Sequence, residues 1–463
     1  MSTESPSKAS ARAWTNAQGQ CGLLPEEDPA HDTVVLPLKY LYQNPAQAAF
    51  VGPTCPMRVN VMVRFLYEIE RSYYRQMHDH LRQIGVKVPI TGTNQPFCPA
   101  SVAADSVNDF MSRNNYWQHP NVNAKPYFTF HNLAVVNSDL SRVNNPITEV
   151  VSSSVAGKPM IVPEFNFPWP NEYRAEALPL MVAYACLQDW DGLLFFAYDP
   201  EQQSLSWFGN QSDPVRWGEF PAAALMFHRH DVASAQHTIQ IGYSQSDVFT
   251  AGPRHNGREV SPYRDLAYVS QIRNAYFGER YQGGGEMIRG AGYASPPDAA
   301  TSPSKRTSDT GQLRLDAHAG LFTIDTPRTK SAVGFLGRAG RIALDGFSIR
   351  CATPFVAVFV TALDSAPIAS SRRFLITAVA RAENTGQAFA NNKRTVPERG
   401  RLPVLVEPVR AELSIVVAGP AEVYSLDAAG HHGQRNPVAQ EGHTLKVTLD
   451  AVHSPWCEVI VGR

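Results

Sequence analysis

Residues 158–199 read KPMIVPEFNFPWPNEYRAEALPLMVAYACLQDWDGLLFFAYD, and this stretch most narrows the folds open to the chain. Pro159–Phe165 is an apolar run of strand length, bounded by Ser152–Gly157 and Asn166–Pro170. Tyr173–Trp190 follows as a helix, with Asn171 as its candidate N-cap and Gly192 as its stop. Residues 177–187 are apolar nearly all round, which predicts a helix buried on every side. Leu193–Tyr198 is apolar on both faces, the pattern of a central parallel strand. Strand, buried helix and two-faced strand in succession predict α/β architecture with a parallel sheet.

The same rhythm precedes and follows this unit. Leu66, Ile69, Tyr73, Met77, Leu81 and Ile84 recur at helical spacing, which places them on one face of a predicted helix. Gly85 is its candidate C′ residue. Residues 86–91 (VKVPIT) read as a short buried strand and Asn108–Met111 as a weaker one. A last helix spans about Pro214–Phe227. After Asp231 the helical period fades into short runs such as GLFTIDT, PFVAVFVTAL, RFLITAVAR and HTLKVTL, separated by turn residues, which predicts a β-sandwich. The expected organisation is a loose segment at 1–30, an α/β region at 31–235 and an all-β region at 236–463 with a flexible loop at 282–312.

Charge limits the function. Lys+Arg number 41 and Asp+Glu 42, a net charge of −1 over 463 residues. That disfavours binding nucleic acid mainly through its phosphates. Thirty-five prolines exceed the ~5% of an average protein and fit many loops and strand edges. No apolar run approaches the ~20 residues of a membrane-spanning helix, and the polar start MSTESPSKASARAW is no secretory signal. Cysteines 21, 55, 98, 186, 351 and 457 have no metal-ligand spacing, and Cys186 and Cys351 read as buried free thiols. No cofactor or metal is expected. His228, His230 and Asp231 read as a helix end, Arg372–Arg373 as a strand start and His431–His432 as a hairpin turn.

Glu164 is the candidate for chemistry. It stands at the C-terminal end of an apolar strand, followed by Phe165, Phe167 and Trp169, and aromatic rings beside a carboxylate suit sugar binding. The stretch resembles strand seven, helix seven and strand eight of the clan A retaining glycoside hydrolases, in which the nucleophile is a Glu at the end of strand seven. Glu164 matches that position and FFAYD (195–199) matches strand eight. PITGTN (89–94) resembles strand five and NDFMSRNNYWQHP (108–120) strand six; HRHDV (228–232) resembles the exit from helix eight. The likeness runs on into the sandwich through FTIDTPRT (322–329) and RFLITAVARAENTG (373–386).

The resemblance implies a partial (β/α)8 TIM barrel, strands five to eight, followed by a β-sandwich. It implies hydrolysis of O-glycosidic bonds with Glu164 as nucleophile, and a sugar site shaped by Asn94, Tyr116, Trp117, His119, Trp169 and Tyr198. The clan's acid/base, a Glu after Asn at the end of strand four, has no counterpart early in this sequence. Asn171-Glu172 is the only Asn-Glu and reads as structural, and Glu4 is a remote substitute. A retaining enzyme needs both carboxyls, so activity is expected to be impaired. Four strands do not close an eight-stranded barrel, which leaves self-association, a separate N-terminal half or a truncated gene product as expectations. The rival reading is a non-catalytic carbohydrate-binding or scaffold protein. Relatives are often exported, but localisation does not follow from this sequence.

Overall fold

The computed structural model describes residues 23, 27–33, 56–96, 98–119, 121, 129–138, 145–199, 203–250, 264–278, 286–289, 304–449 and 454–462. Most of the segment 1–30, Glu4 included, lies outside these residues. The chain is α/β in its first half and all-β in its last third.

The helices are α1 (Pro56–Gln83), α2 (Pro99–Asp105), α3 (Pro146–Val151), α4 (Ala177–Gln188), α5 (Pro214–His228) and α6 (Gln245–Thr250). Four of them, α1, α2, α3 and α5, begin at Pro, whose fixed φ suits the first helical position. Gly85, at φ 95°, ends α1 as expected, and Val86 N–H closes the turn onto Leu81 O at 3.0 Å. The face that α1 buries is not its most regular apolar stripe. Met62 and Val63 are buried, and the Tyr67 ring packs edge-on against Phe249. Ile69, Tyr73, Met77 and Ile84 lie in solvent.

The first sheet is parallel. Strands β1 (Met111–Ser112) and β2 (Asn115–Tyr116) form one path, broken at Arg113–Asn114, beside β3 (Met160–Asn166); β4 (Gly192–Phe195) flanks β3 on the other side. Residues 86–91 form no strand. Pro89 lacks a donor, Val88 is exposed, and 90–94 run beside β1 through single bonds, Asp109 N–H to Ile90 O (2.9 Å) and Asn114 N–H to Asn94 O (2.7 Å). Strand β4 pairs only with β3 among the described residues, and Leu194 is exposed, so it is an edge strand and not the central one its composition suggests. Helix α4 is buried all round, as expected.

A second parallel sheet follows where only antiparallel strands are expected. Strands β5 (Thr238–Tyr243), β6 (Gln271–Tyr276) and β7 (Glu286–Arg289) lie in the order β6-β5-β7. Strand β7 falls inside the stretch 282–312 that reads as a loop, and Lys305–Thr307 is also a strand; 290–303 lie outside the described residues. The antiparallel region thus begins near residue 305, not 236.

Nine antiparallel strands form one large sheet, in spatial order His432–Asn436, Ala421–Leu426, Trp456–Val461, Arg373–Val379, Val356–Ala362, Thr329–Gly334, Leu321–Asp325, Leu313–Asp316 and Lys305–Thr307. Five more form a smaller sheet: Arg341–Leu344, Phe347–Cys351, Ala411–Val416, Thr444–Thr448 and Ala439–Glu441. One apolar core lies between the two sheets and contains Val358, Ile376, Ile349, Leu413 and Val447. The opposite face of the large sheet packs on the α/β half through Phe322, Phe359 and Val379, with Tyr184 stacked on Phe322 at 5.6 Å. Covered on both faces, Val356–Ala362 is buried throughout and reads as a continuous apolar run.

Charges seal the seam between the layers. Asp213 caps α5 through Val215 N–H (3.1 Å) and takes Arg174 Nε–H at 2.6 Å; Arg174 also donates to Ala382 O at 2.8 Å. Burial pushes the Asp213 carboxyl up, but Arg174 and Arg216 outweigh it and hold the carboxyl below its ordinary range. Asp231 joins Arg229, Arg328 and the Thr329 hydroxyl, so this end of α5 is structural, as read. Cys186, Cys351 and Cys457 are free and buried, and Cys98 is buried. Among the described residues no helix is long and apolar enough to cross a membrane.

Candidate functional site

The C-terminal ends of β2, β3 and β4 meet at Glu164. Parallel strands bring these ends to one rim, so side chains distant in sequence converge there. Glu164 Oε2 accepts the Tyr116 hydroxyl at 2.5 Å. Burial, followed by this bond to Glu164, pushes the Tyr116 phenol well above its ordinary value, so it stays a donor at neutral pH. Rings crowd around the pair. Tyr116 lies 5.4 Å from His119, 5.2 Å from Phe208 and 6.2 Å from Phe196, all edge-to-face. Phe196 and Phe208 are 5.6 Å apart.

Phe196 and Phe208 are absent from the sequence-derived site. Phe196 lies in the FFAYD run, just past β4; Phe208 lies in a loop with no periodicity to mark it. Backbone bonds bring them together. Phe196 N–H donates to Phe165 O (3.0 Å), Ala197 N–H to Phe208 O (2.8 Å) and Asn210 N–H to Ala197 O (3.0 Å). The Phe196–Ala197 peptide is cis. Asn166 Nδ2 donates to Phe196 O and to Asn210 Oδ1. Buried Arg216 donates to Phe167 O and Trp207 O at 3.1 and 3.2 Å, which fixes the loop behind the rings.

The remaining expected site residues divide. Tyr116 and His119 lie with Glu164. Trp117 and Trp169 are buried in the core instead; Trp117 Nε1–H donates to Leu133 O (2.9 Å) and Trp169 Nε1–H to Gln387 Oε1 (3.0 Å). Both indoles have their polar edge satisfied inside the protein, the usual state of a core Trp. Asn94 is exposed on the segment beside β1, and Tyr198 is exposed beyond β4.

The neighbouring carboxyls are held elsewhere. Glu172 binds Arg381 (2.6 Å), Lys393 (2.7 Å) and Asn132 (2.8 Å); burial raises it, but these partners outweigh burial and leave it below its ordinary value. Glu149 takes Arg113 Nη2–H at 2.7 Å and Asn115 Nδ2–H at 3.0 Å. Glu176 accepts Val135 N–H and Val136 N–H, yet burial pushes it up to about 8. Among the described residues no group of three or more His, Cys, Asp or Glu is arranged to hold a metal ion.

The geometry offers a carboxylate with one hydroxyl donor, whose ring packs against three others, His119, Phe196 and Phe208. Such a group can attack an electrophilic carbon or hydrogen-bond a ligand hydroxyl, and the rings can stack on apolar sugar faces. Comparison of the chain with protein-family models, with curated proteins and with solved structures gives no match.

Proposed function

We propose that this protein is a glycoside hydrolase of the retaining, clan A kind, with Glu164 as nucleophile and Tyr116 as its hydrogen-bond donor. On this reading the segment 90–94 and strands β1–β4 are strands five to eight of a (β/α)8-type barrel, and the two antiparallel sheets are a β-sandwich behind it. The observation that carries the proposal is the Tyr116–Glu164 bond of 2.5 Å at a parallel-strand rim lined by His119, Phe196 and Phe208. In the first step a Glu164 oxygen bonds to the anomeric carbon while the bond to the leaving oxygen breaks. The leaving oxygen takes the electron pair; a phenolate departs as the anion, while a natural alcohol takes its proton from solvent water. Water then cleaves the glycosyl ester, which frees the sugar and the carboxylate and releases a proton.

A second reading, sugar binding without turnover, is favoured by the commitments of Glu149, Glu172 and Glu176 to other partners. One experiment divides the two. 2-Deoxy-2-fluoroglycosides carrying dinitrophenolate leave without acid assistance. We expect a stoichiometric mass gain on the peptide containing Glu164, absent in Glu164→Gln. Folded protein that gains no mass, yet binds the parent sugars, supports the second reading and removes the first.

A further inference from the structure

A second cleft opens where α5 lies on the large sheet. Gly218 allows the close approach there: a Cβ would fall 2.8 Å from Val379 Cγ1 and 3.4 Å from Pro455 Cβ. Its neighbours on the helix, Trp217 and Phe220, stay 44% and 40% exposed. Their rings lie 5.5 Å apart and 13° from parallel, so they form one ordered aromatic wall. Trp456 lines the cleft from the sheet; its Nε1–H is spent on Gly218 O at 2.7 Å, so only its ring is left to a ligand. Leu363, Leu426 and the turn 428–430 complete the apolar lining. The cleft measures about 360 Å³, within the range of small-molecule sites, and shares no residue with the Glu164 site.

One ion pair reaches into this apolar cleft, and it selects the ligand. Glu458, two residues after Trp456 in the same strand, points to the same face of the sheet. It is only 3% exposed. Its Oε1 accepts Arg373 Nε–H at 2.6 Å, and its Oε2 pairs with His432 Nε2 at 2.5 Å. Burial pushes the carboxyl up, but these two partners outweigh burial and hold it below its ordinary range. Oε2 keeps a lone pair that can accept from a ligand. The Arg373 side chain is 61% exposed and has N–H groups beyond those bonded to Glu458. A ligand carboxylate drawn to Arg373 would meet Glu458 beside it, and a ligand cation drawn to Glu458 would meet Arg373. A hydroxyl suits both, since it accepts from the guanidinium and donates to the carboxylate. A neutral ligand with hydroxyls on its edge and an apolar face for Trp217 and Phe220 is a sugar ring.

We propose that this cleft is a carbohydrate-binding site separate from that of Glu164, one that holds a sugar without cleaving it. The proposal does not rest on the chemistry of Glu164. Its test is calorimetric titration of the full chain with gluco-, xylo-, manno- and galacto-hexasaccharides, beside benzoate and adenine as flat ligands without a sugar ring. At least one hexasaccharide is expected to bind, and Trp217→Ala and Phe220→Ala should each raise its dissociation constant about 10-fold or more. Both residues are exposed, so the melting temperature should hold. Labelling of Glu164 by the 2-deoxy-2-fluoroglycosides should be unchanged in both variants. Labelling that fails while Trp217-dependent binding persists removes the Glu164 reading and supports this one. A chain that binds none of the hexasaccharides overturns the proposal. So does binding that both substitutions leave unchanged, or Trp217-dependent binding of benzoate or adenine that is tighter than that of every hexasaccharide.

Discussion

Tyr116 offers a change of one oxygen that separates packing from chemistry. Its ring contacts His119 and Phe208, and only its hydroxyl reaches Glu164. Tyr116→Phe keeps the ring and removes the donor. A hydrogen bond to a charged group contributes ~1.5–3 kcal/mol, so glycosylation of Glu164 by the fluoroglycosides should slow about 10- to 100-fold. The melting temperature should change little, because the lost hydroxyl leaves no buried group without a partner except the carboxylate, which is itself only partly buried. Inactivation rates followed by intact mass, beside a melting curve, make the check. An unchanged rate would mean that the bond does not serve the reaction.

At the scale of elements, the contact of α1, α2 and the segment 90–94 hinges on Gly92. A Cβ there would fall on the Asp105 carboxylate, 2.7 Å from Tyr74 Cε1 and 2.8 Å from Asn108 Nδ2. All three side chains are held by hydrogen bonds, in two sets: Asn108 Nδ2 donates to Asp105 Oδ1 (2.7 Å), while Tyr74 OH and Ser101 Oγ donate to Glu70 Oε1. Gly92→Ala should therefore destabilise the protein by about 1–3 kcal/mol, the usual cost of overpacking, read as a fall in the urea midpoint. The periodicity of the sequence reveals the elements but not which faces they bury. The 3.6 period of α1 is genuine, yet its most regular stripe is the exposed one, because Met62, Val63 and Tyr67 on another face meet the core. Apolar composition on both faces marks a central strand only if neighbours cover it, and Leu193–Tyr198 has a neighbour on one side alone among the described residues. Glu164, Tyr116 and His119 were legible because strand ends project their side chains to a common rim. Trp117 and Trp169 were misplaced because an aromatic beside a rim reads the same whether it faces the cleft or the core. Phe208 lies in a loop, placed there by Arg216 and by backbone bonds that no local pattern encodes.

The three-layer build of the whole molecule determines its response to pH. Covering α4, α5 and the large sheet on so many sides encloses carboxyls that cannot all ionise cheaply. Burial pushes Glu176 up to about 8 and Asp105 up to about 6, and it pushes Glu219 well above its ordinary value. Glu219 is fully buried with neither oxygen hydrogen-bonded. Each of these groups binds its proton more tightly folded than unfolded. Their contribution to stability is therefore complete below the ordinary carboxylate range and is lost as pH rises through the folded values. The opposite set, Glu172, Asp213 and Glu458, is held below its ordinary range by cationic partners and loses its contribution only in acid. The two sets together place the stability maximum near pH 5. Between pH 5 and 8 the melting temperature should fall, as the stability drops by no more than about 1.4 kcal/mol per pH unit for each titrating group. Glu176 isolates one contribution, since its two partners are backbone N–H groups and no cation compensates it. Glu176→Gln should lower stability at pH 5, where one of those N–H groups faces an amide in place of a carboxyl oxygen, and should flatten the decline toward pH 8. Calorimetric scans of both proteins at half-unit intervals test this. A wild-type melting temperature that is flat or rises from pH 5 to 8 would show that these carboxyls are solvated in the folded protein, and that the seam between α5 and the large sheet opens more readily than its packing implies.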